Sequence, residues 1–282
     1  MLGDGACKKL RNLPPGQTFL VKPQCLVSKL SVDGRQASHE RTALPVSGVT
    51  SPWQAAVMTT SATPMPPIVS RSEWEKARAE LLVREKELTR LKDSVSAARR
   101  RLPMVEITEP YTFEGENGPV SLLDLFDGRK QLILQHFMFG PDWKAGCDGC
   151  SMMAEHIGPL SHLHAKDTSF VLVSRAELPK LVAFRERMGW TLPWVSSAGS
   201  TFNQDFHVTV DGEELQAVSV FLRDGERVFH TWQTFSRGEE PFMVVFDLLD
   251  LTPYGRQESW EDSPEGWPQR PPYEWMRLAD SY

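Results

Sequence analysis

The sequence predicts an α/β fold, and three observations predict it. An apolar run, Leu132-Ile133-Leu134-Gln135-His136-Phe137-Met138-Phe139, leads into Cys147-Asp148-Gly149-Cys150 and then into a helical pattern. Strand-like and helix-like segments alternate from Met104 onward. Near the end, two β-branched and aromatic runs flank Asp224-Gly225, a strong hairpin signal.

The elements read in order as follows. Residues 1–70 are rich in scattered Pro, Gly, Ser and Thr and have no helical period, so they are expected to be a disordered N-terminal extension. Met58 within them is a second candidate start. Residues 71–103 change abruptly to an amphipathic helix. Ser72-Glu73-Trp74-Glu75 has capping-box spacing, and Pro103 stops the pattern. Trp74, Ala77, Leu81, Leu88, Leu91, Val95 and Ala98 form a narrow apolar stripe, interrupted at Arg84. Packing of that stripe on its own domain is the commoner use of such a helix. A homodimer through the Ser72–Arg101 helix is the alternative.

Residues 104–282 hold the domain. Tyr111-Thr112-Phe113 is strand-like, Glu116-Asn117-Gly118-Pro119 is a turn, and Val120–Phe126 is a short apolar turn or helix. The strand Gln131–Phe139 follows, then a helix over Ser151–His164 and the strand Phe170-Val171-Leu172-Val173. Leu178–Met188 is a helix stopped by Gly189. Val218–Leu222 and Arg227–Phe235 form the hairpin, and Phe242–Leu251 is the last helix. This order, β-α-β-α followed by a hairpin and a helix, is that of a thioredoxin-like fold. A tail rich in Pro, Trp and Tyr runs from Pro253 and is expected to wrap the domain irregularly.

Composition sets the outer bounds. The 282 residues, 40% of them hydrophobic, suffice for a sizeable core. A formal net charge of -6 argues against nonspecific binding to nucleic acid or to an anionic membrane. No apolar stretch suggests a transmembrane span, and Met1–Gly16 lacks the apolar core of a secretory signal. The expected location is cytoplasmic. A mitochondrial presequence is the alternative, because residues 1–57 hold seven Lys/Arg against three Asp/Glu. The four cysteines, Cys7, Cys25, Cys147 and Cys150, are too few for a disulfide scaffold at this length.

Cys147 and Cys150 are the candidate catalytic pair. At a strand-to-helix junction, the helix N-terminus points N–H groups at the first sulfur and favours its thiolate. Cys150, one turn on and less solvated, is suited to resolve a mixed disulfide. Asp148 opposes the thiolate at Cys147, which favours the disulfide over the dithiol and so a reducing poise. Trp143 is an auxiliary candidate that shields the sulfur or contacts substrate, or simply fills the core. Arg175 is another, at the C-terminal end of a strand where α/β sites gather. Asp142 and Glu155 flank the pair and are candidates to shuttle a proton for Cys150. Two plainer readings compete: a zinc site completed by His156, His162 or His164, and two ordinary buried thiols. Against zinc, there is no second Cys-x-x-Cys. No cofactor is called for.

Several longer stretches carry a family resemblance. They are Ser72-Glu73-Trp74 with Glu85-Lys86-Glu87-Leu88-Thr89-Arg90, and Val120-Ser121-Leu122 with Leu125-Phe126-Asp127-Gly128. His136–Trp143, Gly146-Cys147 and Gly149-Cys150-Ser151 follow, with Val173–Ala176, Met188-Gly189-Trp190 and Pro193–Ser197 beyond them. Ser219–Gly225, Val228–Thr231, and Asp250-Leu251-Thr252-Pro253 with Gly255-Arg256 complete the set. With these, the chain from about Arg71 to Tyr282 resembles the DUF899 family of thioredoxin-like proteins. The resemblance implies a thioredoxin-like fold and a dithiol site at Cys147 and Cys150, and little about substrate. Two departures stand out: Asp148 occupies a position that usually carries Pro in the family, and Ala279 one that often carries His. A third is from thioredoxins proper, whose cis-proline before the hairpin has no counterpart, since Ala217 and Val218 stand there.

The function expected is a dithiol–disulfide oxidoreductase acting on a protein or small-molecule disulfide, recharged by an external dithiol reductant. A redoxin-type thiol peroxidase is the second reading, weakened because Lys144 stands where a peroxide-binding Thr is needed. A non-catalytic thioredoxin-fold interaction module is the third.

Overall fold

The computed structural model describes residues 64–282. The expected disorder of the N-terminal extension, the alternative start at Met58, Cys7 and Cys25 lie outside the described residues, Pro64–Ser70 apart. No helix among the described residues is long and apolar enough to cross a membrane.

Helix α1 spans Arg71–Arg99. Its capping box lies two residues earlier than the sequence spacing suggests: Ser70 is the N-cap and Glu73 its partner. The Ser70 side chain accepts from the Glu73 N–H, and the Glu73 carboxylate accepts from the Ser70 N–H at 2.9 Å. The expectation that the stripe packs on its own domain is not met, because none of the helix is buried. Its C-terminal end touches the domain through Arg99, whose guanidinium lies 5.1 Å from the Trp232 ring centre.

Eight strands form one sheet: β1 (Val105–Ile107), β2 (Thr112–Gly115), β3 (Gly118–Ser121), β4 (Gln131–His136), β5 (Thr168–Ser174), β6 (Trp194–Ser196), β9 (Ala217–Asp224) and β10 (Arg227–Phe235). Their spatial order is β1-β10-β9-β4-β5-β6-β2-β3. A short second pair, β7 (Thr209–Val210) with β8 (Glu213–Glu214), stands apart. Helices α2 (Asp148–His156) and α3 (Ser161–His164) connect β4 to β5. Helix α4 (Leu178–Met188) connects β5 to β6, α5 (Phe202–Asp205) precedes β7, and α6 (Val244–Asp250) follows β10.

The middle of the sheet is the thioredoxin arrangement. β4 and β5 run parallel, β9 is antiparallel to β4, and β10 is antiparallel to β9. A parallel pair requires a crossover, and α2 with α3 provides it. The single helix expected over Ser151–His164 is two helices, since Gly158-Pro159 cannot continue the first. The β9–β10 hairpin turns at Asp224-Gly225, with Gly225 in the left-handed region at φ 61°.

Period-2 alternation splits the core across the sheet. Along β5, Phe170 and Leu172 face a cluster with α2, α4 and α6, while Val171 and Val173 face a second cluster with Phe113, Phe126, Phe202 and Phe206. β5 is buried along its whole length, as befits a parallel strand covered on both faces. The irregular tail packs on the first cluster through Tyr273, Trp275, Met276 and Leu278.

Candidate functional site

The chain leaves the C-terminal end of β4 and reaches α2 through a loop ending at Gly146. Gly146 is there because a Cβ would stand 2.5 Å from the Phe137 ring. Cys147 is the N-cap of α2, in extended conformation, and no side chain caps this end. Its N–H donates to the Met138 carbonyl at 3.0 Å, and its own carbonyl accepts from Ser151 at 2.9 Å. These bonds fix the sulfur at the helix mouth, where the unpaired N–H groups of the first turn favour negative charge. Asp148 is the first residue of the helix and is exposed.

Cys150 sits one turn deeper and is 1% exposed, whereas Cys147 is half-buried. The Met138 N–H donates to the Cys150 sulfur at 3.4 Å. Burial pushes the Cys150 thiol well up, and its hydrogen bond with Cys147 adds to this. The two sulfurs therefore lie near each other. Beneath them the Gln135 amide Nε2 donates to the Cys150 carbonyl at 3.0 Å and pins that turn to the sheet.

Glu239 is the residue that sequence reasoning missed. It lies in a 3-10 segment, Ser236–Phe242, between β10 and α6, and is 3% exposed. Its Oε1 is buried without a hydrogen-bond partner. Burial raises its carboxyl well above the usual range, and the charge of Cys147 raises it further. The same carboxyl also raises Cys150, so it lies within electrostatic reach of both thiols. A polar run, Ser236-Arg237-Gly238-Glu239-Glu240, looks like an exposed loop, which is why it was passed over. Gln135 carried a readable signal, because an amide inside an apolar strand demands a partner.

The other candidates scatter. Trp143 belongs to the cluster around Cys147, and its ring lies against Gly140, where a Cβ would be 2.9 Å from it. Arg175 is engaged elsewhere: it donates to Glu214 at 2.7 Å, and Glu214 is almost wholly buried. Asp142 is exposed on the loop. Glu155 is raised first by burial and then by Asp280, and neither cysteine figures among its neighbours' effects. His136 faces the opposite side of the sheet, with Nε2 2.8 Å from the Ser219 hydroxyl, and burial drives it down to about 3. Among the described residues no three His, Cys, Asp or Glu side chains converge as a metal site, and His156 does not join the cysteines in one.

The tail closes one side. Met276 comes so near α2 that a Cβ on Gly149 would stand 3.1 Å from its terminal methyl. The tail is itself anchored by buried charge. Arg256 donates to Asp250 at 2.9 and 2.8 Å and to Glu240 at 2.9 Å, and its guanidinium covers Phe246. Glu258, fully buried, accepts from the indole N–H of Trp260 at 2.6 Å and of Trp275 at 3.1 Å, and from the Tyr273 N–H at 2.8 Å.

With this geometry in place, the family is decided. Residues 63–282 match the model of the family described as "Bacterial protein of unknown function (DUF899)". The chain belongs to that family. No curated protein matches it. Similar solved structures include peroxidoxin BcpB from Mycobacterium tuberculosis, 20% identical with a TM-score of 0.37, covering 48% of this chain and 86% of that one. Peroxiredoxin Q from Xanthomonas campestris is 12% identical with a TM-score of 0.40, covering 52% of this chain and 96% of that one. The thioredoxin-like fold assigned to this family member rests on its strand order and crossover, given above.

Proposed function

We propose that the protein is a dithiol–disulfide oxidoreductase, with Cys147 the attacking thiol, Cys150 the resolving thiol and Glu239 the proton acceptor for Cys150. One observation supports this above the rest: a half-buried sulfur at a helix mouth stands near a buried sulfur, with a buried carboxyl whose Oε1 has no hydrogen-bond partner in electrostatic reach of both.

The Cys147 thiolate attacks a substrate disulfide. One substrate sulfur leaves as a thiolate and takes a proton from solvent, and a mixed disulfide with Cys147 remains. Glu239 is held mostly protonated by burial, so its ionised fraction takes the Cys150 proton as Cys150 attacks the Cys147 sulfur. The second substrate thiol departs, protonated by Glu239. The substrate gains two electrons, and the protein is left with a Cys147–Cys150 disulfide, which an external dithiol reduces. Burial makes Cys150 a poor thiolate on its own, so an acceptor at its side matters more than at Cys147. The half-buried position of Cys147 suits it to meet substrate first.

The test is mass spectrometry of the alkylated protein with and without reductant, joined to an insulin-reduction assay. The oxidised protein should carry a Cys147–Cys150 disulfide. Cys147→Ser should abolish insulin reduction, and Cys150→Ser should accumulate mixed disulfides through Cys147. Trapping through Cys150 alone would reverse the roles, and two alkylatable thiols under oxidising conditions would end the proposal.

A further inference from the structure

Helix α1 extends about 43 Å at 1.5 Å per residue, with none of its residues buried. Trp74, Leu81, Leu88 and Val95 recur at intervals of seven and are 50%, 48%, 57% and 42% exposed. Ala77, Arg84, Leu91 and Ala98 recur at the intermediate step, with Leu91 60% exposed. These are the two seam positions of a heptad repeat. A helix this long whose seam meets only water gains nothing from its apolar residues. The residues flanking the seam say what fits it. On one flank stand Glu73, Glu80, Glu87 and Ser94, and on the other Arg78, Glu85, Lys92 and Arg99.

We propose that α1 docks with α1 of a second copy of this chain as a parallel two-stranded coiled coil. In a parallel pair, each residue of the first flank meets the residue five positions on in the other copy. Glu73 then meets Arg78, and Glu87 meets Lys92. Only Glu80 meets a like charge, at Glu85, and that carboxylate already holds Arg78 of its own helix at 2.8 Å. In an antiparallel pair the same flanks face each other. Glu80 would meet Glu87, Arg78 would meet Lys92 and Glu85 would meet itself. The charge pattern thus selects the parallel arrangement and a partner of identical sequence. Arg84 interrupts the seam and weakens the pair without reversing this preference, since its neighbours there are Glu80 and Glu87 of its own helix and Glu85 of the other copy.

Sedimentation velocity of the full chain over about 1–100 μM tests this. A reversible dimer is expected. Leu88→Glu should shift it to monomer while leaving the domain's unfolding midpoint unchanged, since the helix buries nothing on the domain. Glu87→Lys and Lys92→Glu should each weaken self-association at least tenfold, and mixing the two variants should restore it, because opposite charges then face each other on both flanks. A monomer at 100 μM, or a dimer indifferent to Leu88→Glu, would overturn the proposal. A dimer tightened by Glu87→Lys would overturn the parallel arrangement.

Discussion

Helices α1 and α2 both carry apolar residues at helical spacing, and they meet opposite environments. α1 has 29 residues and none buried; α2 has nine, with Cys150 to Ala154 buried in an unbroken run. Local sequence favours the wrong one. α1 has a complete capping box and is built from Glu, Lys, Arg, Ala and Leu, all good helix formers. α2 opens on Asp-x-Cys with Gly149 inside its first turn and has no side-chain cap. It exists because a parallel β4–β5 pair needs a crossover and because the sheet offers it an apolar face. In this chain propensity makes the helix that stands in water, and tertiary burial makes the helix that bears the thiols.

The comparison breaks or sharpens under mutation, and the largest effect belongs to the core. Met153→Ala, at a side chain 1% exposed, should destabilise the domain by about 2–5 kcal/mol in urea unfolding. Leu81→Ala in α1, measured at a concentration where the chain is monomeric, should stay within about 0.5 kcal/mol of the wild type. Comparable losses at both positions would mean that α1 is held by the domain after all.

Glu239→Gln comes next. Removing the acceptor should slow resolution of a Cys147 mixed disulfide by about a hundredfold, followed by quench and mass spectrometry. The same variant has a signature in stability. Glu239 is raised in the folded state, so above the ordinary Glu range the folded protein holds a proton that the unfolded chain has released. Its contribution is therefore present below that range and is lost as pH rises toward the folded value. Across pH 5 to 8 the wild type should lose stability relative to Glu239→Gln. A constant difference between the two would show that the carboxyl ionises freely.

Glu258→Gln tests the tail against α2. The carboxylate serves three N–H donors, and an amide turns an NH₂ toward at least one of them. The loss should be about 1–3 kcal/mol, and proteolysis after Pro253 should rise together with alkylation of Cys147. Smallest of all is Asp148→Asn. Removing that charge beside Cys147 should make the disulfide easier to reduce by up to about 30 mV in glutathione equilibria, and a shift of opposite sign would mean the carboxylate favours the dithiol.

The parts of the fold that follow local rules were legible. Leu178–Met188 coincides with α4, with Gly189 ending it at φ 68°, and the hairpin strands flank Asp224-Gly225 as the turn chemistry demands. The Cys-x-x-Cys turn was legible too, because its spacing and its preceding apolar strand are local. The edge strands were not. β1 is only Val105–Ile107 and lies beside β10, a pairing between distant residues that no short window encodes. The Ser70 cap was missed in favour of Ser72 because both have a Glu three residues on. Glu239 was hidden because its own neighbours in sequence are polar, while its burial and its effect on the thiols arise only once the chain is folded.

Gly149 lies between the cysteines, and a methyl group there would stand 3.1 Å from the end of Met276. A side chain at position 149 would thus press on the tail, and Met276 would have to give by a few tenths of an ångström to admit it. For protein engineering, grafting this four-residue turn onto another scaffold leaves that contact behind, and removing the tail before Met276 removes the neighbour a side chain at 149 would meet.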